Sequence, residues 1–290
     1  MNFFGESIKN GRIGPMGPRG LRGEKGAGVE FFARWLPNTL LTDLRLNETV
    51  YFKITKPSED LDIDEHGCIL SWKSLQSNIM KLAKCLDINN AIRNYVKIGD
   101  EYALDSTSIN HTVYRIEDIY LAPANANHWV FISANFKVDH FADNSNEQFL
   151  AITDVFSDDP TIIHRGVSIK RNKVVIYGAN SENRTFEVEF GESLVGSWIS
   201  LYVCWSGIGG GEFLIKNSKT EVSGQFESQK TTMFQSCVVD LFGSYNIVER
   251  KIYNRFFGYM KSIDIYSENN AKESLFPEEL RDLIIAKHFL

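Results

Sequence analysis

The sequence predicts a mainly β protein: an antiparallel sandwich mounted behind a short collagen triple helix and closed by a C-terminal helix. Three observations predict it. Glycine recurs at every third position from Gly11 to Gly26. From about residue 100 onward, β-branched and aromatic residues alternate with period two between Gly- and Asn-bearing turns. The chain ends on Phe276-Pro-Glu-Glu-Leu-Arg-Asp-Leu-Ile-Ile-Ala-Lys-His-Phe, with Pro277 suited to a first helical position, acidic residues at the start and Lys287 and His288 at the end.

The repeat is carried by Gly11, Gly14, Gly17, Gly20, Gly23 and Gly26, with Pro15 and Pro18 directly after glycine. Each third residue of a collagen helix faces a crowded axis that admits only glycine, and proline fixes the extended backbone. The reading implies a parallel homotrimer with a stalk roughly 50 Å long, at about 3 Å per residue. Six triplets are too few to hold three chains, so a neighbouring domain must trimerise with them. Residues 1–10 ahead of the stalk carry Phe3, Phe4 and Ile8, which tripled on one axis make an apolar anchor. Residues 11–28 form the stalk.

Residues 29–46 follow as an apolar neck, with Phe31, Phe32 and Trp35. Two readings stay open for it: a plug where three chains meet, or packing onto its own head. The head then spans 47–290. Near its start, Trp72, Leu75, Ile79, Leu82 and Leu86 step by three and four, which predicts an amphipathic helix near 71–87, either packed on a sheet or forming a short coiled coil. Strands are expected over 128–138, 148–155, 166–170, 173–177, 185–190, 198–205, 212–217, 236–242 and 256–266. With short turns and no helices between them, they form an antiparallel sandwich.

Gly196-Ser-Trp198-Ile-Ser-Leu-Tyr-Val, then Glu212-Phe-Leu-Ile-Lys-Asn, then Phe257-Gly258-Tyr-Met-Lys-Ser-Ile-Asp-Ile-Tyr266 and the closing Pro-Glu-Glu-Leu helix together resemble the laminin-G-like, concanavalin A-like jelly rolls. The resemblance covers residues 100–290 and implies a fold, not a ligand.

Composition excludes several function classes. The chain has 290 residues, 43% apolar and 23% charged, which is a globular balance. No run of apolar residues is long enough for a transmembrane helix, and the first eleven residues lack a signal-peptide core, so no secretory leader is expected. Residues 1–28 hold five basic and two acidic residues, so the rest carries −9 of a net −6, and no nucleic-acid partner is expected. Cys68, Cys85, Cys204 and Cys237 form no CxxC pair and read as free core thiols.

The search for chemistry gave little. Glu187-Val-Glu189-Phe-Gly-Glu192 approximates a Glu-x-Asp-x-x-Glu glycosidase motif, with glutamate at the central position, where an extra methylene misplaces the helper. No catalytic residue is expected. Asp139, Asp143, Asn144 and Asn146 cluster in one stretch, with Asp154, Asp158 and Asp159 nearby. These hard oxygen donors would suit Ca²⁺, although EF-hand order is missing, and no cofactor is otherwise expected. Together with the turn Gly207–Gly211, the stretch 139–146 is the candidate binding region.

Anchor, stalk and β head predict a trimeric virion surface fibre made in the host cytoplasm. A capsid or virion protein would hold its N-terminus, and a cell-surface receptor or glycan would meet its head. A secreted collagen-stalk lectin is the alternative reading, and a glycosidase the third.

Overall fold

A computed structural model describes residues 46–75, 81–119, 128–142, 146–153, 165–178, 185–206, 210–227, 237–246 and 249–269. The expected anchor (Phe3, Phe4, Ile8), stalk glycines, neck (Phe31, Phe32, Trp35), Asp143, Asn144 and C-terminal helix lie outside these residues.

In chain order the strands are β1 Leu46–Lys53, β2 Leu61–Ile63, β3 Ile69–Lys73, β4 Leu82–Cys85, β5 Asn94–Ile98, β6 Glu101–Asp105, β7 Tyr114–Ile119, β8 His128–Val138, β9 Glu147–Thr153, β10 Arg165–Lys170, β11 Lys173–Tyr177, β12 Thr185–Glu189, β13 Trp198–Ser206, β14 Gly210–Lys216, β15 Glu221–Glu227, β16 Cys237–Leu241, β17 Ser244–Asn246, β18 Lys251–Tyr253 and β19 Gly258–Asn269. A one-turn helix, α1 Pro57–Asp60, follows β1.

Two large antiparallel sheets result, with β17 and β18 pairing as a separate hairpin. One has nine strands in the order β12-β11-β10-β9-β16-β7-β4-β3-β2. The other has eight, in the order β15-β14-β13-β8-β19-β6-β5, with β1 also paired to β19. The expected antiparallel sandwich is therefore present. The strands expected over 128–138 and 173–177 have those bounds, and the other seven differ by one to three residues at an end.

Alternation explains the layering. In β8, Val130, Ile132, Ala134, Phe136 and Val138 are all buried in the core, as are Ile199, Leu201, Val203 and Trp205 of β13. They meet Val167, Ile169, Val174 and Ile176 of the nine-stranded sheet. Each such side chain stabilises the fold by roughly 1.5–3 kcal/mol, which outweighs the weak preferences of single residues for strand.

Residues 71–87 correct one expectation. The predicted helix is instead β3 and β4, joined edge to edge. Trp72 faces Ala83 across the ladder, and the small partner leaves room for the indole against Phe52, with ring centroids 5.3 Å apart. The three-four spacing came from two short strands in succession. The strand-forming part of the chain also starts at Leu46, well before residue 100, and β1 to β7 were not anticipated.

Gly258 opens β19 where it crosses β8. A Cβ there would lie 2.0 Å from the Lys137 carbonyl oxygen, so only glycine permits the two strands to approach. Gly196 turns the chain into β13 at φ +84° and donates its N–H to the Val138 carbonyl. Both glycines of the family-like pattern are thus backbone necessities.

Candidate functional site

The strand register defines two ends. Leu46 pairs with Glu268, and His128 with Asn269, at one end of the sandwich. This is the near end. Val138 pairs with Gly258 at the other, or far, end.

The expected binding stretches separate along this axis. Asp139 and Asn146 stand at the far end, directly after β8 and before β9. Gly210 and Gly211 stand at the near end, because Trp205, opposite Gly211, pairs with Val130 near the start of β8. Gly207–Gly209 lie outside the described residues. Gly211 has a packing reason: a Cβ would meet the Phe226 ring at 2.3 Å. Asp154, Asp158 and Asp159 lie outside the described residues. Asp139 is engaged by His140 at 3.0 Å, Asn146 is exposed, and no group of three metal-binding side chains occurs among the described residues.

The far end is knitted around residues 254–258. Ser106 N and Oγ both donate to the Gly258 carbonyl, and Asp139 N donates to the Phe257 carbonyl. Gln148 is fully buried; its Oε1 accepts from Phe257 N at 3.0 Å and its Nε2 donates to the His140 carbonyl. His140 stacks on Phe257 at 4.9 Å. Phe149 N donates to the Asn254 carbonyl and Phe256 N to the Phe242 carbonyl. Five segments distant in sequence thereby hold one another.

Beside this hub the surface turns apolar. Among the described residues, the exposed large hydrophobic side chains are Ile63, Leu86, Ile88, Tyr95 and Ile109. All five lie in the far half of the sandwich. Ile88 is 51% and Ile109 69% exposed. Their segments run side by side: Ile69 N donates to the Ile92 carbonyl, Leu86 N to Val113, and Thr112 N to Asn90. Ile88 also lines an open hollow of about 520 Å³ with Asp64, His66, Cys68, Asn89 and Arg93. Backbone N–H groups of Cys68 and His66 donate to Asp64 at 2.7 and 2.9 Å and hold its carboxyl below the usual range.

The glycosidase-like carboxylates sit elsewhere. Glu187 and Glu189 share the outer face of the edge strand β12, while Val188 and Phe190 are buried. Lys170 and Lys173 donate to Glu187 at 2.6 and 2.8 Å, which keeps its carboxyl below its ordinary range. A proton donor needs the opposite shift. Glu192 pairs with Lys219 at 2.7 Å. Of the cysteines, Cys68, Cys85 and Cys204 are free thiols, and burial pushes the Cys85 and Cys204 thiols up, away from reactivity.

No family model and no curated protein matches this chain. It is similar to solved structures at low identity. Peanut lectin with a bound nonapeptide aligns at 13% identity and TM-score 0.43, over 76% of this chain and 98% of the lectin. The binding domain of botulinum neurotoxin serotype G aligns at 13% and 0.42, over 82% of this chain and 50% of that one. Trypanosoma rangeli sialidase in complex with sialic acid aligns at 10% and 0.45, over 82% and 32%. The chain thus spans about half of the neurotoxin domain and a third of the sialidase. These are likenesses of fold.

Proposed function

We propose that three copies of this chain form a stalk-mounted attachment protein of a virion surface. Residues 1–10 dock on the particle, residues 11–28 wind into the triple helix, and the heads bind a cell-surface receptor or glycan through their far ends. The head binds and does not catalyse.

One observation carries this reading. Large apolar side chains, which a lone soluble head has no reason to expose together, gather at the end opposite to Leu46, the first described residue after the expected stalk and neck. A stalk displays what lies farthest from it. Three heads on one axis present the same patch three times, so weak single contacts sum to useful avidity.

The test is the full-length trimer with Ile88→Asp and Ile109→Asp, offered to target cells and to a glycan panel. Binding should fall by about tenfold or more, as expected when central apolar contacts worth 1–2 kcal/mol are removed, while the β circular dichroism and melting stay unchanged. Protease or glycosidase treatment of the cells then separates a protein receptor from a glycan. Undiminished binding by the folded double variant overturns the far-end reading.

A further inference from the structure

His111 sits in the 106–113 connection between β6 and β7 and is 1% exposed. Its Nε2 lies 2.7 Å from the Phe256 carbonyl oxygen and its Nδ1 2.9 Å from that of Thr112. Both partners are acceptors. A neutral imidazole carries one N–H, so it serves one carbonyl and turns a bare nitrogen to the other. A second proton would complete both bonds, but it would place a charge inside a dry cage.

That cage offers the charge no anion among the described residues. Phe242 and Phe257 flank the ring edge-on, at 6.5 and 5.5 Å. From the 254–257 segment, the Arg255 guanidinium donates Nε to His111's own carbonyl at 2.8 Å, adding like charge. From the 139–142 segment, Asp139 is paired with His140, which stacks on Phe257. From β7, Tyr114 lies across Phe242, its hydroxyl bonded to the Ile69 carbonyl. Burial holds the ring's proton affinity below the ordinary histidine range, against the pull of the two carbonyls.

We propose that His111 is an acid-released latch on the far end. While the ring is neutral it holds the 106–113 loop, with exposed Ile109 at its tip, against residues 254–257. As pH falls, the loop opens so that the ring can take its proton in water. The sign follows from linkage. A histidine whose folded-state affinity is depressed stabilises the closed form fully above the unfolded value of about 6.5, and that contribution is lost as pH drops toward the folded one. The latch would therefore rearrange the apolar patch in an acidic compartment and leave it intact at neutral pH.

Hydrogen exchange on the full-length protein at falling pH, corrected for intrinsic rates, reads this directly. Amides of 106–113 and 254–257 should lose protection below pH about 6.5, while the β8 and β13 amides do not. His111→Gln keeps one N–H donor without titrating and should abolish the pH dependence, whereas His140→Gln should leave it in place. Equal loss of protection in His111→Gln, or no loss in the wild type, overturns the proposal. Should His111→Gln fail to fold, NMR titration of the wild-type ring decides: a folded-state value at or above that of a free histidine also overturns it.

Discussion

The outer face of the nine-stranded sheet carries two ion-pair systems that differ mainly in burial. At its centre, Arg115 of β7 grips Asp240 of β16 through Nε and one terminal nitrogen at 2.7 and 2.9 Å. Tyr245 of the β17–β18 hairpin lies over the guanidinium at 5.3 Å and donates its N–H to the same carboxylate at 3.2 Å. At the edge, Glu187 is shared by Lys170 and Lys173 in solvent. Burial drives Asp240 above the usual aspartate range in spite of its arginine, whereas the two lysines draw Glu187 below its own. By linkage, acid acts on the two in opposite senses: falling pH favours the fold through Asp240 and removes stability through Glu187. The same chemistry is a structural clasp in one place and a solvated decoration in the other.

The largest way to break the contrast is Arg115→Met. It leaves a buried carboxylate without its partner and should cost about 3–5 kcal/mol in denaturant unfolding. Adding Asp240→Leu should recover most of that loss, because an apolar pair of similar volume avoids the desolvation penalty. A double variant as weak as the single one would mean that the pair contributes beyond its own charges.

Tyr245→Ala should act less, by roughly 1–2 kcal/mol for a partly desolvated cation–π contact. Its effect should be local, with faster hydrogen exchange over Ser244–Tyr253 ahead of any change in global melting. Uniform destabilisation instead would show that the hairpin is part of the cooperative core.

Glu187→Gln should do least. Any stability that Glu187 adds is present above its ordinary carboxylate range and fades as pH drops through that range, so the variant and wild type should converge in acid. At high salt they should melt together even at neutral pH, because exposed charges are screened. A clear loss of stability there would put Glu187 in the class of Asp240.

How much of this was legible in the sequence depended on distance along the chain. β8, β11 and β13 were readable because long alternation such as His128–Val138 is a local signal. β2, β3 and β4 hold only three to five residues each, too few for a period to show, and the spacing of Trp72, Leu75, Ile79, Leu82 and Leu86 imitated a helix across two separate strands. The far end was the least legible. Arg115 and Asp240 are 125 residues apart, and His111 meets Phe256 across 145. No spacing rule reaches so far. A cluster of acidic loop residues was the visible signal for binding, and its described members Asp139 and Asn146 stand at the far end. The Ile63–Ile88–Ile109 patch went unseen because an exposed isoleucine and a core one look alike in sequence.

Among the described strands β1 pairs only with β19, in unbroken register from Glu48 to Lys53 after a bulge behind Leu46. Its first residue stands at the near end, and its axis runs toward the far end. For a head held at its far end and pulled from Leu46, as the proposed mounting would have it, the pull would travel along β1, not across it. The hydrogen bonds to β19 would then be loaded in shear, all sharing the force, and none could be peeled away singly. The strand that introduces the head is thus also oriented to serve as its mechanical tether.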